Sequence, residues 1–216
     1  MTRAANLPEI DCVAELREAT MLYRVIRKAL VQQGYEDDIR WAQTVKPPAS
    51  ADDLAREAIW VILNSGMKNQ VAEGIAKKLW PVLDAGGSAH DVFGHKGKSD
   101  AIDHIWANRK KLLAEFRELS EAEEIVEWCE RLPWVGPITK WHLAKNLGVD
   151  CAKPDRHLQR LADLAGTDPA LLCETLAKTS GDRVATVDYV IWRACNLGAF
   201  DHCKEMAEHV GRAVSQ

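Results

Sequence analysis

Several things that would fix the class of this 216-residue chain at once are missing from it. No apolar run reaches the ~18 residues that a membrane-spanning helix needs, so no membrane partner is expected. The cysteines stand at 12, 129, 151, 173, 195 and 203, and no two have Cys-x-x-Cys spacing. That argues against a zinc site and for reduced thiols. The first residues, MTRAANLPEIDC, contain no apolar signal core, so a cytoplasmic protein is expected. Strand-like alternation is nearly absent. Tyrosine and phenylalanine are scarce at three each, whereas tryptophan is abundant at eight.

What remains is a helical chain. Apolar residues make up 47%, enough for a real core and too much for disorder. Helical periodicity recurs between Gly, Pro and Asp punctuation, predicting roughly ten helices: 9–34, from Asp52, 68–84, 99–117, 121–131, 137–147, 155–165, 168–179, 183–197 and 201–214. Asp37-Asp38 and Lys46–Ser50 read as a connector, with Pro47 and Pro48 excluding helix there. In the second helix Leu54, Ala58, Ile59, Val61 and Ile62 form the apolar stripe. Gly148, Gly166 and Gly198 sit where C-terminal caps belong. Trp60, Trp80 and Trp192 lie in apolar stripes and are expected in the core. The predicted fold is all-α, in two helical subdomains. An N-terminal helix and connector (1–50) pack on the C-terminal part, 51–135 form one subdomain, and 131–216 hold a hairpin and the C-terminal helices.

Net charge is −4, unfavourable for nucleic acid if taken alone. Its distribution is uneven. Between 136 and 160, five cations (Lys140, Lys145, Lys153, Arg156, Arg160) face two acids (Asp150, Asp155). A second cationic run spans His95 to Lys111, with Lys96, Lys98, Arg109 and Lys110. A basic face on an acidic body is expected.

The most informative stretch is 132–157. It reads Leu-Pro-Trp-Val-Gly-Pro-Ile-Thr-Lys, then Trp-His-Leu-Ala-Lys-Asn-Leu-Gly, then Val-Asp-Cys-Ala-Lys-Pro-Asp-Arg-His. Gly136 is the residue expected to supply a positive φ between two short helices, and Pro137 suits the first position of the next helix. Leu132 and Val135 would anchor the turn, with amides around Val135–Ile138 pointing outward where a phosphate can bind. Farther on, Asp155 stands before another helix, as an N-cap or as a working carboxylate.

Together these residues resemble the helix-hairpin-helix and Gly/Pro-Asp signature of the endonuclease III superfamily of DNA glycosylases, over about 51–200 and most closely at 131–165. The resemblance implies two subdomains clamping a cleft and an enzyme that cuts a base from its sugar in duplex DNA, leaving an abasic site. It implies a monomer. The base is open: a repair lesion, or a virus-type hypermodified base in a defence role. Many relatives hold an iron-sulfur cluster on four closely spaced C-terminal cysteines. Only Cys195 and Cys203 lie in that region, so no cluster and no other cofactor is expected.

By the same resemblance Asp155 is the catalytic carboxylate, stabilising positive charge on the deoxyribose and orienting water. The DNA-binding residues are Trp134, Val135, Gly136, Pro137, Lys140 and Arg156. The usual turn is Leu-Pro-Gly-Val-Gly, so Trp134 stands where relatives have glycine. Its indole has three uses: against a sugar or base, crowding the phosphate, or packed back on the protein. Members that also cleave the backbone carry lysine at the position of Ile138. Lys140, two helical residues on, is turned ~200° away, so hydrolysis is expected. Trp141 and His142 share the face of Ile138 and are pocket candidates. Lys153 is the alternative amine for a bifunctional glycosylase and abasic-site lyase; a non-catalytic helix-hairpin-helix DNA-binding protein is the other alternative. The residue that fills the flipped-base gap is expected among Asn64, Met67, Asn69 and Gln70, because Gly66 occupies the family's glutamine position.

Overall fold

The computed structural model describes residues 8–215, with side chains from residue 12 onward. Residues 1–7, which open the stretch without a signal core, lie outside it. The described residues form eleven α-helices and one 3₁₀ turn, with no strand. They divide into two compact units. One combines the residues through Val45 with those from Asp150 on; the other is the continuous segment Lys46–Val149.

The continuous unit holds α3 (Ala51–Asn64), α4 (Asn69–Asp84), the 3₁₀ turn Ala89–Asp91, α5 (Lys96–Arg117), α6 (Ala122–Glu130) and α7 (Thr139–Asn146). Helix α3 is its centre. Ser50 and Asp53 form a reciprocal capping box at its start. Its predicted stripe, Leu54, Ala58, Ile59, Val61 and Ile62, is buried throughout. Helices α4, α5 and α7 all pack on α3, and α7 also packs on α6. That packing overturns the expected boundary near 131–135. Residues 131–149 belong with the segment before them, because α7 closes on α3 and α6, and the division falls between Val149 and Asp150. At Gly148, φ is +98°, and an added Cβ would strike the backbone of Lys46 and Pro47. Only glycine suits this exit turn.

The discontinuous unit holds α1 (Pro8–Gln32), α2 (Glu36–Thr44), α8 (Arg156–Ala165), α9 (Pro169–Ser180), α10 (Val184–Asn196) and α11 (Phe200–Val214). Its core joins Ala19, Tyr23, Ile26 and Leu30 of α1 to Cys203, Met206, Ala207 and Val210 of α11, with Val187, Val190 and Ile191 from α10. Each large apolar side chain removed from water here stabilises by about 1.5–3 kcal/mol. The Tyr23 hydroxyl donates to Asp182 Oδ2 at 2.6 Å, tying α1 to the turn after α9. Helix α2 replaces most of the expected connector. Its acids Glu36, Asp37 and Asp38 occupy the first turn, where the helix dipole favours negative charge. Ile39 and Ala42 bury its inner face, and the chain leaves helix at Val45, just before the two prolines.

Three further expectations shift. Helix α5 starts at Lys96 and not 99, with the His95 side chain accepting from the Lys98 amide. Helix α7 starts at Thr139, two residues after Pro137. The buried tryptophans are Trp106 and Trp128. Trp60, Trp80 and Trp192 are only half-buried, and guanidinium groups cover ring faces: Arg56 lies 4.9 Å from the Trp80 centroid and Arg193 4.8 Å from that of Trp192.

Helices α8 and α11 cross most closely at Gly211, where an added Cβ would run into the Ala165 carbonyl. Gly211→Ala should therefore force the two helices apart and cost about 3 kcal/mol. A chain of this size should then melt roughly 6–12 °C lower in a calorimetric scan. A change below about 2 °C would show that the crossing is not tight.

Candidate functional site

The turn between α6 and α7 is built around two buried anchors, Leu132 and Val135, as expected. The rest of the turn differs from the reading of its glycine. The residue with left-handed backbone is Trp134, at φ +66°, and Gly136 has no positive φ. A tryptophan thus holds a backbone conformation that favours glycine. For a residue with a Cβ this costs roughly 1–2 kcal/mol.

The indole offsets that cost by packing back on the protein. It meets the His95 ring edge-on, with centroids 5.2 Å apart and planes at 81°. It also lies over Gly97, where an added Cβ would come within 2.5 Å of the Trp134 ring. Even so, Trp134 stays 44% exposed.

Outward-facing amides are fewer than expected. The Val135 N–H donates to the Leu132 carbonyl at 3.1 Å. The Gly136 N–H donates to Thr139 Oγ1 at 2.7 Å, and Pro137 has no N–H. That leaves the amides of Ile138 and Thr139, which find no acceptor among the described residues. Open donors at a helix start suit an anion. Ile138, the residue before α7, is 45% exposed beside them. Gly136 has ample space: an added Cβ would meet only Thr139 Oγ1, at 4.0 Å.

One turn of α5 links this hairpin to the loop of gap-filling candidates. Lys98 is only 3% exposed. Its ammonium donates to the Leu63 carbonyl at 2.8 Å and the Ser65 carbonyl at 2.6 Å, at the end of α3. Burial pushes its pKa down. His95 and Gly97 brace Trp134 while Lys98 holds the loop 63–67. The loop turns through Gly66, with φ +67°, and the Met67 amide donates to the Asn64 carbonyl. Asn64 and Met67 are half-buried. Asn69 and Gln70 lie instead in the first turn of α4, exposed, with Asn69 donating to Glu73.

The expected basic faces are largely neutralised. Lys140 pairs with Glu130 at 2.5 Å and lies against the Trp141 ring. Lys96 pairs with Asp100, Arg109 with Asp52 and Lys111 with Glu115, while Lys98 is buried. Trp141 and His142 are half-buried on α7.

In the discontinuous unit, Asp155 is the N-cap of α8. Its Oδ1 accepts from the amides of His157 at 2.9 Å and Leu158 at 3.2 Å. The approach is tightly turned, with the Asp155 amide donating to the Lys153 carbonyl at 2.7 Å. Buried Asp188 of α10 accepts from the Lys153 amide at 3.1 Å, which assigns Asp188 a bracing role. The Asp155 charge also reaches the Cys195 thiol, opposing its ionisation, while a hydrogen bond from Cys203 favours it more strongly. Lys153 is half-buried, and exposed Arg156 donates to His157 Nε2 at 3.4 Å. Among the described residues no group of three or more His, Cys, Asp or Glu side chains is placed to hold a metal ion. No helix there is long and apolar enough to cross a membrane.

His95, Gly97, Lys98 and Thr139 are the site residues that sequence reasoning missed. Lys98 carried a readable signal: it precedes Ile102 and Ile105 by four and seven residues, in the phase of the buried stripe of α5. Comparison with family models, with curated proteins and with solved structures finds no match to this chain.

The contact between Gly97 and Trp134 gives a test with a change of sign. Gly97→Ala should destabilise the chain by about 1–2 kcal/mol, since the indole must move. With Trp134→Gly already present, the same change should stabilise by up to about 1 kcal/mol, because alanine is the better helix former. Equal effects in the two backgrounds, measured by urea unfolding, would show that the indole does not rest on Gly97.

Proposed function

We propose that this protein is a DNA N-glycosylase that hydrolyses the bond between C1′ and a damaged or modified base flipped out of duplex DNA. In this reading α6, the turn 131–138 and α7 form the helix-hairpin-helix, and the carboxylate is Asp155. The observation that carries it is the state of Asp155. Two amides fix the carboxylate through Oδ1 alone, so the group is held in place while its second oxygen takes no part in the cap. A rigid carboxylate suits the reaction. As the bond to the base breaks, positive charge grows on the sugar, and a negative group already in place stabilises it without reorganising. Water then adds its oxygen to C1′ and its proton leaves toward the carboxylate or the departing base. This chemistry needs no metal.

Gly136 supplies independent support. Its φ is ordinary and an alanine methyl has room there, so the free chain gives no reason for glycine. Close approach of a phosphate to the backbone gives one. The open amides of Ile138 and Thr139 follow directly, and Ile138 in place of an amine favours hydrolysis over strand cleavage. Exposed Trp134 lies in the same turn, available to a sugar or base. The base itself is a repair lesion or a hypermodified viral base.

The decisive measurement is mass spectrometry of free bases released from a panel of modified duplexes. Asp155→Asn keeps a capping oxygen and removes the charge. It should lower release at least about 100-fold while duplex binding and melting temperature hold. Unchanged release would remove Asp155 from the chemistry. No release from any duplex, with binding that weakens as salt rises, would favour a non-catalytic DNA-binding protein. Borohydride trapping on abasic DNA should give no adduct; an adduct lost on changing Lys153 would establish a lyase. Gly136→Ala should leave the melting temperature within about 2 °C and weaken duplex binding about tenfold. Unaltered binding would mean that no phosphate comes close to Gly136.

A further inference from the structure

Helix α1 has two working faces, and only one is used inside the protein. Ala19, Tyr23, Ile26 and Leu30 enter the core. Elsewhere on the helix Val13, Leu16, Met21 and Val25 line a shallow groove of about 570 Å³, with Met21 and Val25 one turn apart on the same side. Met21 is 52% and Val25 58% exposed. Thr20 lies on the groove floor, sharing a 2.7 Å hydrogen bond with Thr179 of α9. From Val13 to Lys28 the groove runs roughly 22 Å, or four helical turns.

The charges along this groove are of one sign. Arg17, Arg24 and Lys28 line it, and among the described residues no acid does. None of the three has an ion-pair partner among the described residues. Other cations of the same unit, Arg27 and Arg212 among them, do meet carboxylates.

We propose that this groove docks an acidic amphipathic helix of a partner protein, about four turns long, with apolar residues against Met21 and Val25 and carboxylates against Arg17, Arg24 and Lys28. Burying the apolar stripe supplies affinity, and methionine adapts its shape to the partner. The three unpaired cations set the partner's sign and speed its arrival. Other occupants fit less well. A second copy set groove to groove brings the cations against one another. The chain's acidic helix α6 has Val126, Trp128 and Cys129 buried in its own unit, leaving no apolar face to offer. Residues 1–7, Met-Thr-Arg-Ala-Ala-Asn-Leu, contain a cation and no acid. A membrane surface would favour bulky aromatic side chains, and this stripe has none.

The test uses the full chain and a synthetic capped peptide of about sixteen residues, with leucines on one helical face and glutamates flanking them. A peptide of the same composition, permuted to scatter the leucines, is the control. Calorimetric titration should show binding to the first peptide and at least about tenfold weaker binding to the second. Arg17→Glu with Arg24→Glu should weaken the first at least tenfold, and Met21→Asn should do the same with both charges intact. These positions are exposed, so unchanged melting temperatures should accompany the losses. Several results would overturn the proposal: no binding, equal binding of the permuted peptide, or affinity indifferent to the variants. Association with phosphatidylserine vesicles or with duplex DNA that is tighter than peptide binding and is lost on Arg17→Glu with Arg24→Glu would also do so, as would self-association that the charge reversals abolish.

Discussion

The ammonium of Lys98, buried on the carbonyls of Leu63 and Ser65, is the constraint on which the exposed face of the continuous unit depends. Removing a charge from water is costly, and the cost is recovered only if the charge finds well-placed acceptors. The end of α3 provides them, since its last carbonyls have no partner within the helix. The carbonyls gain a strong donor and the buried amine gains two acceptors, while burial pushes its pKa down. Hydrogen bonds to a charged group contribute about 1.5–3 kcal/mol. The start of α5 is thereby fixed to the end of α3, and the positions of His95 and Gly97 follow. The hairpin's tryptophan rests on those two residues. A single buried cation thus sets two segments that are far apart in sequence.

The hairpin itself combines two choices that local backbone energetics would not make. A tryptophan occupies the left-handed position where glycine is free of strain, and a glycine occupies a position where alanine fits. The first is explained inside the protein. Burying a large part of an indole against His95 and the bare Cα of Gly97 is worth more than the 1–2 kcal/mol of backbone strain. The second has no internal explanation, which is why it bears on function. Strain and freedom have been placed two residues apart, on the same exposed turn.

Much of the fold was legible because it follows from period and punctuation. The stripe of α3, the left-handed Gly166 after α8 and the Asp155 cap are local patterns, and the structure forms them where the residues suggest. What was not legible depends on partners far away in the chain. Helix α2 is nine residues long, stabilised by acids at its start and by Ile39 entering a core made mostly of residues after 150. The pairing of Lys140 with Glu130 was not legible either, because charge counted along a sequence does not show which acid lies across a turn. The boundary at Val149 was hidden for a similar reason: α7 reads as the start of something new, yet its buried face belongs to α3 and α6. The capping by Asp155 and the hairpin anchors were legible, while the bracing by His95, Gly97 and Lys98 was not.

The chain's discontinuity has a consequence during synthesis. Residues 46–149 are uninterrupted and can fold as soon as they leave the ribosome. Helix α1 emerges before that segment but has its principal partner in α11, which begins roughly 170 residues after α1 ends. At 5–20 residues per second that wait is roughly ten to thirty seconds. Throughout it, Tyr23, Ile26 and Leu30 have no α11 to cover them. Helix α1 is made well before it can find its place, and a nascent chain stalled before residue 200 would display α1 to any chaperone at hand.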